Sequence, residues 1–127
     1  ACLKSSHLRA ALNHAEPYLR EHPDDDRLRY LVANIHVSLG QIVSARRELG
    51  LLLQRDPRNP DAHYLLGILE SRTDLDAARD HFLATAEFTR DADQRIEVRS
   101  RLAELRLQER ELARDFEQVP RTLKEEP

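Results

Sequence analysis

The sequence predicts an all-α fold built from antiparallel helix pairs in tandem, and three observations predict it. The first is composition: hydrophobic residues make up 40% of the 127, charged residues 34% and aromatics 5%, with only three glycines. Ala, Leu, Arg and Glu dominate, all good helix formers, and no stretch has the β-branched and aromatic enrichment of a strand. The second is a period. A shift of 34 residues lays Leu8 on Ile42, Ala15 on Leu49, Leu19 on Leu53, Tyr30 on Tyr64, Leu31 on Leu65 and Ile35 on Leu69. The third is that the shift keeps residue character: Ala11 falls on Ala45, Ala33 on Gly67 and Pro23 on Pro57, and one deletion then carries Ala45 to Ala78 and Leu49 to Phe82.

Each element follows from local signals. Leu3 to Pro23 reads as a helix that Pro17 interrupts. From Arg27 to Ser38 the residues Leu28, Leu31, Val32 and Ile35 keep helical spacing, and Gly40 stands where a left-handed turn residue is needed. The acidic run Asp24, Asp25 and Asp26 suits the positive end of that helix. Ile42, Ala45, Leu49, Leu52 and Leu53 form the next apolar face, which Pro57 terminates. Asn59-Pro60 is a cap followed by a residue suited to the first helical position. Asp74 caps the helix through Leu75, Ala78, Phe82 and Ala86 to about Thr89. Between Asp93 and Glu117 there is no glycine or proline, and Val98, Leu102, Leu105, Leu112 and Phe116 mark one long amphipathic helix. Small Ala33, Gly67, Ala45 and Ala78 are expected where helix axes approach to about 8–10 Å.

This helix-turn-helix unit resembles the tetratricopeptide repeat, on the strength of Ala33 and Gly67, Ala45 and Ala78, Gly40 in the turn and Pro57 at the close. The chain departs from the family pattern at Arg29 and His63, where tryptophan is frequent, and at Thr85, where alanine is usual. The resemblance implies a right-handed superhelical array with a long C-terminal capping helix. A single domain is expected over 1–119, comprising the second helix of a partial repeat (3–23), repeats at 24–57 and 58–90, and a terminal helix at 91–119. A disordered tail is expected over 120–127.

Composition also narrows function. The net charge of −3 argues against nucleic acid or an anionic membrane as partner. No apolar run has membrane-spanning length. Of the six histidines, His7 and His14 share a helix face without further ligands, and His36 and His63 fall on positions that pack between helices. No glycine-rich phosphate loop or nucleophile motif is present, so no catalytic, cofactor or metal residue is assigned and an enzyme is not expected. The single Cys2 forms no internal disulfide, and Ala1-Cys2 matches the short pattern of a lipid-anchored N-terminus. The absence of methionine points to a processed or excised chain, and the arginine-rich composition to a bacterial cytoplasm or periplasm.

The expected function is a protein-interaction scaffold that binds a peptide or protein segment in a concave groove lined by the first helix of each pair. Tyr30 and Tyr64, one period apart, point the same way and serve either binding or packing between repeats. The resemblance adds Arg27, Asn34, Asp61, Ile68 and Arg72 along the groove. Asn34 matches an asparagine that some members use on a peptide's terminal carboxylate, although Tyr30 stands where those members have a basic residue. The alternative is a structural or self-associating subunit of a larger envelope or secretion assembly. It would use the N-terminal edge, where Leu8, Leu12 and Ala15 are left partly uncovered, or the C-terminal helix, and would form a homodimer through these edge helices.

Overall fold

The computed structural model describes residues 2–118, which form six helices: α1 (Cys2–Glu21), α2 (Asp26–Ser38), α3 (Ile42–Arg55), α4 (Pro60–Glu70), α5 (Leu75–Phe88) and α6 (Ala92–Gln118). Among the described residues there is no strand, and the chain is an all-α helical repeat array. Packing runs between neighbours in sequence: α2 on α3 and α4 on α5 most closely, then α5 on α6, α1 on α2 and α3 on α4. The Cys2 side chain and the expected tail over 120–127 lie outside the described residues.

Local chemistry sets the boundaries. Asp25 accepts from the Leu28 amide, Asn59 from Ala62 and Asp74 from Ala77, each satisfying a backbone donor that the first helical turn leaves open. At the end of α2, Gly40 takes φ +76°. The amide of Gln41 then donates to the His36 carbonyl and that of Gly40 to Val37, closing the paired bonds of a glycine-terminated helix. Pro17 does not interrupt α1, which continues through it to Glu21. Its missing N–H and the Asn13 carbonyl it would have served both fall on an exposed face, where water replaces the lost bond, while buried Leu19 holds the last turn to α2.

Three apolar clusters succeed one another along the array. Leu12 and Leu19 of α1 meet Val32 and Ile35 of α2. Ala33, Leu49 and Leu52 meet Ala62, Leu65 and Leu66 of α4. Ala78 and Phe82 of α5 meet Val98 and Leu105 of α6. The small residues lie at the crossings: Ala33, Ala45 and Ala78 have no exposed surface. A Cβ built on Gly67 would sit 2.6 Å from Cε1 of Phe82, so only glycine admits that ring.

Two departures from the family pattern have polar solutions of the same geometry. Arg29 donates from Nη1 to Glu48 at 2.7 Å and from Nη2 to the Pro23 carbonyl at 3.0 Å. His63, one period on, meets His81 at 3.1 Å and the Pro57 carbonyl at 2.7 Å. In each pair the first helix bonds to the second and to the proline that closes the preceding turn. Thr85 is fully buried, with its hydroxyl donating to the His81 carbonyl at 3.0 Å.

The long helix has two halves. As far as Leu105 it is packed, and Val98 and Leu105 are buried against α5. Beyond that point Leu107, Leu112 and Phe116 are exposed, so the apolar seam expected to run from Val98 to Phe116 is covered only in its first half.

Candidate peptide-binding face

Successive first helices of the pairs lie side by side, and their shared face is the candidate site. Tyr30 of α2 is half-buried against the cluster that contains Ala62 and Leu65 of α4. Burial raises its pKa above the usual 10.0; beside it Asn34 lowers and the Asp61 carboxylate raises the value. The Asn34 amide donates to the Tyr30 carbonyl at 3.3 Å. Tyr64 repeats the position one period on, with its ring 5.9 Å from that of Phe82 and its hydroxyl donating to Glu97 at 2.6 Å. Its pKa is raised as well, by burial first and then by the bond to Glu97, against the opposing effect of Arg101.

The two tyrosines thus occupy equivalent places, each against the next pair, and their burial favours the packing role named beside binding. Asp61 accepts from Gln94 at 2.8 Å, and Ile68 packs on the cluster that α5 and α6 share. Arg27 is exposed at the start of α2. Arg72 lies past the end of α4, in an exposed turn. It borders a shallow cleft of about 460 Å³ that Leu112 and Asp115 of α6 also line, and so stands apart from Tyr30 and Asn34.

Sequence reasoning did not include Gln94, Glu97 and Arg101, which extend the same face. They follow Asp61, Tyr64 and Ile68 by 33 residues, so the shift that relates Ala45 to Ala78, carried into α6, points to them. Across the face both signs of charge are present, with Arg27, Asp61, Glu97 and Arg101 among aromatic and amide groups. Arg27 makes no hydrogen bond or ion pair among the described residues. Side chains of these types can pair with the charges and backbone groups of a polypeptide. Among the described residues, no three histidine, cysteine or acidic side chains stand close enough to hold a metal ion, and no helix is long and apolar enough to cross a membrane.

A comparison with curated proteins gives no match. A family model described as tetratricopeptide repeat matches residues 3–69, from α1 almost to the end of α4. The family acts generically as a protein-interaction scaffold, binds protein partners and is typically non-catalytic. The helix pairs, the small residues at their crossings and this match together make the chain a member of the tetratricopeptide repeat family.

Proposed function

We propose that the face formed by α2, α4 and the first half of α6 binds a peptide segment of a partner protein. Arg27, Asn34 and Asp61 supply the polar contacts, while Tyr30, Tyr64 and Ile68 form a floor held by packing. Arg72 sits at the far end, where a longer ligand reaches it. The observation that carries the reading is Arg27, exposed on this face with no partner among the described residues while its neighbours are engaged. A guanidinium in that setting is available for a ligand carboxylate.

The test selects peptides from a displayed library against the intact chain and measures their affinity for variants. Arg27→Glu and Asn34→Ala are expected to weaken binding by about tenfold each, or about 1.4 kcal/mol. Val43→Glu, at a position 82% exposed on α3, leaves affinity unchanged. Tyr30→Phe is preferred to Tyr30→Ala because it keeps the packing. Equal binding by wild type, Arg27→Glu and Asn34→Ala rejects the reading.

A further inference from the structure

The interval between α1 and α3 holds an arrangement of charge that the array does not repeat. A cleft of about 350 Å³ opens there, lined by Glu16, Leu19 and Arg20 of α1, Arg29 of α2, and Arg47 and Glu48 of α3. Advancing these positions by one period gives Gly50, Leu53, Gln54, His63, Asp80 and His81. The leucine recurs, and a polar pair recurs at the floor, but neither Arg20 nor Arg47 has a basic counterpart, so closing a helix pair does not require them. Gln54, at the place of Arg20, is exposed although α3 has a helix packed on either side, and Asp80, at the place of Arg47, is exposed on α5. This rim therefore faces solvent within the array as well as near its edge.

At the floor of the cleft, Arg29 and Glu48 pair with each other and are 10% and 13% exposed. The Nε of Arg29 is buried and has no hydrogen-bond partner among the described residues. Buried donors are almost always satisfied, so this guanidinium is held in place with bonding capacity to spare. At the rim, Arg20 and Arg47 are exposed, and neither makes a hydrogen bond or ion pair among the described residues. Glu16 and Arg20 are four apart on α1, the spacing of a helical ion pair, yet Glu16 lies toward His36, at 3.7 Å. Three guanidiniums against two carboxylates leave the lining with one positive charge in excess. A single carboxylate neutralises that excess, whereas a phosphate group, with a charge approaching about −2, reverses it.

We propose that this cleft takes the side-chain carboxylate of a glutamate or aspartate on a protein partner, with Arg20 and Arg47 closing on it from the two walls above the Arg29–Glu48 pair. Guanidinium and carboxylate meet in planar contacts of two hydrogen bonds, which an exposed arginine free of other partners can form without breaking an existing pair. Leu19, lining the same cleft, meets the methylene groups of the incoming side chain. The cleft shares no residue with the face that carries Arg27, Asn34 and Asp61, and the inference stands whether or not that face binds a peptide.

NMR titration of the intact chain tests it, following the arginine Nε–H groups and the backbone amides, which also verify folding. The probes are an end-blocked alanine hexapeptide carrying one glutamate, the same peptide carrying glutamine instead, and inorganic phosphate. The glutamate peptide is expected to shift the signals of Arg20, Arg29 and Arg47 saturably, and the glutamine peptide to leave them in place. Arg20→Gln and Arg47→Gln each weaken binding about threefold, as for exposed ion pairs, and together abolish saturation. Glu16→Gln tightens binding by removing an opposing carboxylate. Arg90→Gln, which removes an equal charge from an exposed position in the turn before α6, leaves it unchanged. Equal shifts from the glutamate and glutamine peptides overturn the proposal, as does phosphate that binds as tightly as the glutamate peptide. So do shifts centred on Asn34 and Asp61, or a double variant that binds like wild type.

Discussion

At Gly67 the missing side chain is what lets α4 and α5 meet. Phe82 lies against its Cα side, and an added Cβ would come within 2.6 Å of the ring. Gly67→Ala gains about 1 kcal/mol of helix propensity but loses about 1–3 kcal/mol to overpacking, so a net loss is expected. Gly67→Leu is expected to cost about 2 kcal/mol or more. The preceding pair solves the same crossing with Ala33 and Leu49. Gly67→Ala combined with Phe82→Leu should therefore be more stable than the two single changes summed, by about 1 kcal/mol in urea midpoints. His81 gives a second test. Burial holds its pKa below 6.5, the neighbouring His63 lowers it further, and Glu70 and Asp80 oppose without reversing the shift. The unfolded chain then binds more protons than the folded one as pH drops below the ordinary value. Stability from this group is full above about pH 6.5 and declines as pH falls through that value toward the folded one. Urea midpoints should fall on going from about pH 7.5 to about pH 5.5, and His81→Gln should show a smaller fall. Equal falls would remove His81 as the cause.

Between helices, ion pairs divide by exposure. Arg29 and Glu48 are 10% and 13% exposed, while Arg79 and Glu109 are 41% and 36%. Glu48→Ala strands a buried guanidinium and is expected to lower stability by about 3 kcal/mol. Glu109→Ala should cost less than about 1 kcal/mol, because water replaces the partner. Thermal melts of the two variants rank the pairs directly. What could be read in advance divides along the same line. Helix limits were legible to within a residue or two because Gly40, Asn59-Pro60 and Asp74 act locally, through φ and through side chains that reach an amide three residues on. Pro17 misled because its effect is local and the burial of Leu19 beyond it is not. The pairing of Arg29 with Glu48 spans 19 residues and exists only once the hairpin closes. On the candidate face, the common register of Tyr30 and Tyr64 was visible from the period, but the bond from Tyr64 to Glu97 joins residues 33 apart and exists only once α6 lies beside α4. The seam of α6 kept a regular spacing through Phe116, yet only its first half had α5 to pack against.

At the scale of the molecule, neighbour-to-neighbour packing makes the ends of the array separable from its middle. No residue after Leu105 is buried among the described residues. A chain ending at Glu109 keeps Tyr64 on Glu97, Gln94 on Asp61 and Arg79 on Glu109. It also keeps Val98 and Leu105 against Phe82. Its stability should lie within about 1 kcal/mol of the full chain, as for changes at exposed sites. A chain ending at Asp91 uncovers Phe82 and Ala78 and loses both bonds to the α4 face. It should melt several degrees lower, since about 1 kcal/mol moves the midpoint of a domain this size by roughly 4–8 °C. The chain ending at Glu109 should bind the selected peptides as tightly as the full chain, because the proposed binding face lies wholly on the retained side. A cut at Glu109 that weakened peptide binding would place the ligand on the second half of α6 and move the binding site away from Arg27.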